Sequence, residues 1–389
     1  MPRNALRLLL ALACLAPHAA AVEPPLEDAG LDAGLAVHVS ATADGALEKR
    51  LAATGRWLVL SLTLDDGTAE RLDAAVAEAG LSGLVTMARW QRDTRLPLAD
   101  RMANLIVADA DALGRTSPSE AELKRALVPV RGKALIHRGG EWTTLETPMP
   151  GAFDEWTHFF HGPDGNALSR DTAVRVPNAL RWIGGPRQHD SHGANGWRVC
   201  GGVAVSEWNY PLEVKRVDDA VAVEARDAFN GTLFWQRVVR GGSPSKKTRP
   251  LILADGRLLR LDDRDEAWKL AAWDPLTGKL LRRYEHSFVL RSSQWGRPRT
   301  APFGAVYHHG AIYQTLGRAL RRLDAETGEV RWEYTAPETH GHLYRPTVAA
   351  DLGLIVLVEG PGGETAKTLR WKGLFGGRYP SPIVNHVLA

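Results

Sequence analysis

Side chains that could bind a metal ion are concentrated in the middle of the 389-residue chain. They form two H-x-x-H pairs with three acids near the first pair, namely His158, His161, His189, His192, Asp154, Glu155 and Asp164. Imidazole nitrogens and carboxylate oxygens are ligands of zinc and calcium, so a pooled metal site is one hypothesis. Residues 162–163, Gly-Pro, would end any helix that could hold the first pair in a fixed geometry.

A tight junction between two domains is the interpretation of this segment that we favour. Trp156, Phe159 and Phe160 would seal the seam, because large aromatic side chains bury much apolar area. Asp164 and Asn166 would satisfy the backbone of the turns that follow. A contact with a substrate or glycan is the third hypothesis.

A repeated turn organises the second half of the chain, and its copies start 47 and 50 residues apart. The repeat residues are Asp227, Gly231 and Trp235, then Asp274 and Gly278 with Arg282 in the Trp position, then Asp324, Gly328 and Trp332. Each copy separates two partly apolar runs, which predicts a hairpin loop. Asp can bond its own backbone and Gly accepts a positive φ, while the Trp would anchor the returning strand against a neighbouring sheet.

This spacing resembles the Ala-x-Asp-x-x-Thr-Gly-x-x-x-Trp repeat of β-propellers of the pyrroloquinoline-quinone (PQQ)-like family. That family includes quinoprotein alcohol dehydrogenases and noncatalytic outer-membrane assembly scaffolds. The resemblance covers roughly residue 182 to the end and implies all-β blades of a partial propeller. PQQ with calcium would be the cofactors of a quinoprotein, but the adjacent cysteine pair of many such enzymes is absent here. We expect residues 385–389 to lead into another repeat loop, so the set of blades is expected to be incomplete.

Helical and strand patterns alternate in the first part of the chain, which predicts an α/β domain with a parallel sheet. The predicted strands are 35–39, 56–62, 83–87, 104–108 and 133–137, and the predicted helices are 44–53, 69–79 and 119–127. Ser119 and Glu122 have the spacing of a capping box at the start of the last helix.

The order of these elements resembles a class I S-adenosylmethionine (SAM)-dependent methyltransferase over about 110 residues. In that family, glycines after the first strand approach the cofactor, and an acid after the second strand binds its ribose. The positions that correspond here are Asp44, Gly45 and Asp65, with Thr63 in the acidic position. Because residues 40–42 are Ser-Ala-Thr and carry Cβ atoms where bare backbone is needed, we expect SAM binding to be lost.

The amino terminus has the pattern of an export signal, with Arg3 and Arg7 before the short apolar run 8–16. We therefore expect cleavage after residue 21 and a periplasmic or secreted protein. Cys200 would then be the one cysteine left, most simply a small buried residue on a strand. The formal charge of +3 falls to +1 without the two arginines, which gives no bias toward nucleic acid. No run of spanning length predicts a transmembrane segment.

These expectations combine into four segments: a signal peptide (1–21), a methyltransferase-like α/β domain (22–145), a junction (146–181) and propeller blades (182–389). The stretches 154–158, 165–167 and 225–231 resemble secreted bacterial proteins, abundant in planctomycetes, that join such domains. The predicted function is a binding or assembly module with a protein or polysaccharide ligand and no cofactor. A quinoprotein alcohol oxidoreductase and a SAM-dependent methyltransferase are the alternatives.

Overall fold

The computed structural model describes residues 23–39, 42–91, 95–176, 180–183, 194–210, 220–240, 250–262, 267–287, 290–291, 303–338, 342–343, 346–360, 370–372, 378–380 and 386–388. The expected signal peptide, His189 and His192 lie outside the described residues. None of the helices within these ranges combines the length and the apolar composition that crossing a membrane demands.

A six-stranded sheet with helices on both faces forms the first part of the structure. The strands are β1 Gly34–Val39, β2 Trp57–Thr63, β3 Val85–Arg89, β4 Leu105–Asp109, β5 Lys133–Arg138 and β6 Glu141–Glu146. The helices are α1 Ala46–Ala52, α2 Asp66–Glu78, α3 Ala110–Leu113 and α4 Glu120–Ala126, with 3₁₀ turns at Leu26–Ala29 and Gly114–Thr116. The order is β3-β2-β1-β4-β5-β6, parallel except for β6, which is the order of a Rossmann-type fold with its last strand reversed. The α/β prediction is confirmed.

The two faces of this sheet are buried in two separate cores. Val37 and Ile106 face one core together with Leu123 of α4, whereas Val59 and Leu72 belong to the other, under α1 and α2. Neighbouring residues of one strand alternate between the cores, because successive side chains of a strand point to opposite faces. Helices cover both faces, so the strands are apolar nearly throughout.

Two details of the α/β prediction are corrected. Strand β6, antiparallel to β5, was not among the predicted strands. The capping box is only half present: Ser119 Oγ accepts a hydrogen bond from Glu122 N at 3.2 Å. The Glu122 carboxylate instead accepts from Leu96 N (2.6 Å) and from Arg125, which hold the incoming loop against α4.

Four antiparallel sheets follow one another in the second part of the structure. The first contains β7 Ala194–Cys200, β8 Val203–Tyr210, β9 Ala220–Asp227 and β10 Leu233–Arg240. The second contains β11 Leu251–Ala254, β12 Arg257–Asp262, β13 Ala267–Trp273, β14 Leu280–Arg283 and β15 Leu290–Arg291. The third contains β16 Phe303–His308, β17 Ala311–Leu316, β18 Ala319–Asp324 and β19 Val330–Thr335. The fourth contains β20 His342–Leu343, β21 Thr347–Ala349, β22 Leu354–Gly360 and β25 His386–Leu388, with a 3₁₀ turn at Ala350–Leu352. Strands β23 Arg370–Lys372 and β24 Arg378–Pro380 form a separate pair. In the first three sheets, strands that are consecutive in the chain pair as neighbours, apart from the short β15, which also pairs with β13.

Each sheet shares a hydrophobic core with the next one along the chain. Val205 of the first sheet packs with Leu258 of the second in one core, and Leu259 of the second packs with Ile312 of the third in another. A smaller core joins Leu320 of the third sheet to the fourth. The sheets are therefore stacked face to face in sequence order.

The three repeat segments have the same loop geometry, each between the third and fourth strands of its sheet. The first residue accepts hydrogen bonds at Oδ1 from the N–H groups two and three residues later, at 2.7–3.2 Å, in Asp227, Asp274 and Asp324. The glycine of each loop has a φ of 66–77° and donates its N–H to the carbonyl of that aspartate. A residue with a Cβ would be strained at this φ, which explains the glycine.

An aromatic side chain from the preceding segment covers the glycine of each loop. Trp182 lies over Gly231, Trp235 over Gly278 and Tyr284 over Gly328. Each aromatic also donates a hydrogen bond to the carbonyl after the loop aspartate: Trp182 to Ala228 (3.4 Å), Trp235 to Pro275 (2.9 Å) and Tyr284 to Ala325 (2.8 Å). The sequence placed Arg282 in the position of the second Trp, but Tyr284, two residues later, has this role. We call these contacts the aromatic interlock.

Candidate functional site

Residues 150–176, the part of the predicted junction 146–181 that we call the junction segment, contact one strand in each of the four antiparallel sheets. The hydrogen bonds are Trp156 with Val199 (2.8 and 2.9 Å), Thr157 O with Leu253 N (3.0 Å), His158 Nε2 with Tyr307 N (3.1 Å) and Pro163 O with Val348 N (2.9 Å). Four residues within the stretch 156–163 therefore bind β7, β11, β16 and β21 in chain order. The segment thus links one strand of each sheet.

The two described histidines of the predicted metal site have other partners. His158 is 1% exposed; its Nδ1 bonds Thr157 Oγ1 at 2.7 Å and its Nε2 accepts the backbone N–H of Tyr307. His161 Nε2 bonds Asp154 Oδ2 at 2.7 Å. Phe159 and Phe160, predicted to seal the junction, are 48% and 45% exposed, so that part of the tight-junction prediction is wrong. The sharing of a metal ion with His189 and His192 stays a prediction.

A polar cleft of about 480 Å³ lies between the junction segment and residues 348–352 of the fourth sheet. Its titratable lining is Asp154, Glu155, His161, Asp164, Arg170 and Asp351. Burial opposes the ionisation of Asp154, yet hydrogen bonds from the Arg170 and Glu155 N–H groups and from His161 hold its pKa below the ordinary value. The other ring nitrogen of His161, Nδ1, is buried and has no hydrogen-bond partner among the described residues. The Asp154–His161 pair thus lacks the accessible nitrogen that a general base needs.

The three positions expected to bind SAM have structural partners at the carboxyl edge of the α/β sheet. Gly45 has a φ of 61°, and a Cβ there would lie 2.6 Å from Leu72 Cδ1, so the side chain of α2 occupies the space that the glycine leaves. Asp44 accepts from Thr42 Oγ1 at 2.5 Å, and this bond chiefly lowers its pKa. Asp65 caps α2 by accepting from Thr68 N and Thr68 Oγ1, both at 2.8 Å, and these bonds lower its pKa.

The end of β2, where the resemblance places a ribose-binding acid, is closed. Thr63 is fully buried, and its Oγ1 has no hydrogen-bond partner among the described residues. Asp65, two residues later, is the N-cap residue that precedes α2. A carboxylate whose two oxygens already accept from Thr68 is less suited to receive two ribose hydroxyls.

A buried acid under α1 was missed by the sequence reasoning. Glu48 is fully buried, and its Oε1 accepts from His38 Nδ1 (2.7 Å) and Ser61 Oγ (2.9 Å). Burial opposes the charge of Glu48, but the hydrogen bond and charge of His38, together with the bond from Ser61 and a backbone bond, outweigh it and lower the pKa. The sequence offered one clue, an acid on the apolar face of a predicted helix.

Polar side chains also join the α/β part to the first repeat loop. Asn104 Nδ2 donates to Asp227 Oδ2 at 2.8 Å, and Asn104 Oδ1 accepts from Asn230 Nδ2 at 2.7 Å. Asn230 also donates to Met102 O at 2.8 Å, and Arg131 lies 3.9 Å from the Asp227 carboxylate. Asn104 and Asp227 are fully buried, so this loop is a contact between the two parts of the chain as well as a turn.

Comparisons with known proteins give matches to solved structures only. No protein-family model matches this chain, and no curated protein matches it. A SAM-dependent methyltransferase from Aquifex aeolicus is similar at 21% identity with a TM-score of 0.26, covering 28% of this chain and 60% of its own. A SAM-dependent methyltransferase from Methanosarcina mazei is similar at 14% identity and 0.26, covering 30% and 57%. A glycopeptide N-methyltransferase complexed with sinefungin is similar at 20% and 0.24, covering 28% and 45%. Among the methyltransferase structures that the chain matches, it spans between 42% and 60% of the other protein's length in the first three.

Proposed function

We propose that this protein is an exported binding or assembly module. In this proposal, the antiparallel sheets are blades of a PQQ-like propeller, and the α/β part is a methyltransferase-like domain that has lost SAM binding. The face-to-face stacking of the sheets, the aromatic interlock and the junction segment that binds one strand of each sheet support the propeller. Export rests on the amino-terminal pattern alone.

The observation that carries the loss of SAM binding is the packing of Leu72 into the space beside Gly45. Gly45 is the one glycine in the loop after β1, and its missing side chain serves helix packing. Asp44 and Asp65 are bonded to their own loops. Both carboxylates therefore already have partners at the positions where SAM would be held.

Isothermal titration of the full-length protein with SAM and with S-adenosylhomocysteine tests this part. We expect no saturable heat at millimolar ligand, with an active methyltransferase as the positive control. Binding in the micromolar range would contradict the proposal and favour the methyltransferase alternative.

Exposed apolar side chains near the end of the junction segment and just beyond it favour a protein as the binding partner. They are Leu168, Val174, Val176, Leu180 and Ile183, which are 69–91% exposed within extended chain. Leaving several large apolar side chains this exposed is unfavourable in water, and exposed apolar surface is typical of protein contact sites. These five exposed side chains, in the described ranges 168–176 and 180–183, are therefore the surface that we assign to partner binding.

A photo-crosslinking amino acid placed at Val176 tests this surface in cells that produce the protein. We expect a discrete protein adduct from Val176 and none from a control at Arg71 of α2, which is also exposed. Equal adducts from both positions, or none from Val176, would argue against the assignment.

A further inference from the structure

Three side chains of metal-binding type meet at the carboxyl ends of β4 and β5. Asp109 is the last residue of β4 and is paired with His137 of β5 in the parallel ladder, and Asp111 lies in the first turn of α3. His137 Nδ1 is 3.2 Å from Asp109 Oδ1 and 3.7 Å from Asp111 Oδ2. One ligand atom from each residue lies within 4.8 Å of the others.

These separations suit shared coordination. Two ligands bound at about 2.0–2.2 Å and at tetrahedral or octahedral angles are themselves about 2.8–3.6 Å apart. The two measured distances lie at or near this range. The third separation, between the two carboxylates, is within 4.8 Å, so side-chain shifts would be needed to centre a cation between the three atoms.

Burial and charge favour a cation at this place. The His137 side chain is 8% exposed, and its Nε2 has no hydrogen-bond partner among the described residues. The nitrogen that faces both carboxylates is Nδ1, so Nδ1 is the atom that would bind the ion. No Lys or Arg of the described residues forms an ion pair with Asp109 or Asp111. Two carboxylates thus converge on a single imidazole.

Backbone groups hold the two carboxylates in place. Asp109 Oδ1 accepts from Asp111 N (3.1 Å) and Ala112 N (3.0 Å), and Asp111 accepts from Gly139 N (2.9 Å) and Gly140 N (3.2 Å). The two glycine N–H groups keep the pKa of Asp111 below its ordinary value. Hydrogen bonds of this kind orient metal ligands and maintain their negative charge.

We propose that Asp109, Asp111 and His137 bind a divalent metal ion of the type of Mn²⁺ or Zn²⁺. One imidazole nitrogen suits these ions better than Mg²⁺ or Ca²⁺, and carboxylates suit both groups. Three protein ligands leave positions for water or for an oxygen of an anionic ligand at the carboxyl edge of the sheet. This site is independent of the binding surface proposed above.

The test uses full-length protein stripped of metal with a chelator and titrated with Zn²⁺ and Mn²⁺, with Mg²⁺ for comparison. We expect one tight Zn²⁺ or Mn²⁺ per chain and much weaker Mg²⁺ binding. His137→Gln and Asp111→Asn should each weaken binding by more than about tenfold. His309→Gln, in an exposed turn, and Asp73→Asn, on the exposed face of α2, should leave it unchanged.

A second readout keeps the proposal falsifiable if a variant misfolds, which circular dichroism would reveal. Pulsed electron paramagnetic resonance of the wild-type Mn²⁺ complex should show coupling to an imidazole nitrogen. Absence of stoichiometric binding, wild-type affinity in folded His137→Gln and Asp111→Asn, or absence of nitrogen coupling would each overturn the site.

Discussion

At the scale of single residues, Glu155 links the junction segment to the first sheet. Its carboxylate accepts from Gly201 N at 2.7 Å and from Cys200 Sγ at 3.2 Å. Cys200 ends β7, so the prediction of a small buried residue on a strand is right about the strand, but the residue is only partly buried. Burial, and then the negative charge of Glu155, raise the pKa of its thiol to about 12. This cysteine is therefore a packing and hydrogen-bonding residue.

We expect Cys200 to react slowly with thiol reagents, because the thiolate is the reactive form and is scarce far below the pKa. In a Cys14→Ser background, labelling with a disulfide reagent at pH 8 should be at least about a hundredfold slower in native protein than in urea. Stopped-flow absorbance measures the rate. Glu155→Gln should speed native labelling, since the neighbouring charge is removed, and fast labelling of the parent would contradict the assignment.

At the scale of elements, the aromatic interlock explains why the repeat loops need both a glycine and an aromatic residue. The glycine supplies the positive φ, and at Gly231 and Gly278 it also leaves room for the ring of the preceding segment. At Gly278, an added Cβ would lie 2.7 Å from Trp235 Cδ2. The loop carbonyl at Pro275 accepts the indole N–H, so the contact is both apolar and directional.

Gly278→Ala and Gly256→Ala separate these two functions of glycine. Both glycines have a φ near 66°, but nothing lies within 4 Å of a Cβ at Gly256. We expect Gly256→Ala to lower the free energy of unfolding by about 1–2 kcal/mol, the cost of the left-handed backbone. Gly278→Ala should cost about 1–3 kcal/mol more, because it also overpacks against Trp235. Urea denaturation followed by Trp fluorescence measures both; equal losses would show that the interlock contributes nothing.

At the scale of the whole molecule, the buried contact between Asn104 and the first repeat loop fixes the α/β part to the sheets. Asn104 also accepts from Leu35 N at 2.9 Å, so it joins β1 and the loop before β4 to Asp227 and Asn230. Arg131 adds a cation over the ring of Phe234 at 4.2 Å. With Asp227 fully buried, each hydrogen bond to its carboxylate offsets the cost of burying charge.

Asn104→Ala should weaken the coupling between the two parts. Removal of the amide leaves buried polar atoms without a partner, which costs about 1–3 kcal/mol. In scanning calorimetry we expect the unfolding of the α/β part to shift to lower temperature and to separate from that of the sheets. Asp73→Asn, on the exposed face of α2, is the control and should change neither transition. A parallel shift of both transitions without separation would argue against a role for Asn104 in coupling.

Local patterns in the sequence determined the kinds of elements and their order. Helix and strand periodicities predicted β4 at 104–108 where it lies at Leu105–Asp109, and predicted an element at 44–53 where α1 lies at Ala46–Ala52. Side-chain periodicity and turn chemistry act over a few residues, so one stretch of sequence contains all the information they need.

Contacts between distant residues were decided only by the tertiary structure. Asn104 and Asp227 are 123 residues apart, and the choice of Tyr284 over Arg282 depends on the position of the next sheet. The course of residues 156–163 along four sheets and the meeting of Asp109 with His137 likewise follow from strand order. Packing sets such contacts, because each requires two surfaces that are formed by separate parts of the chain to fit together.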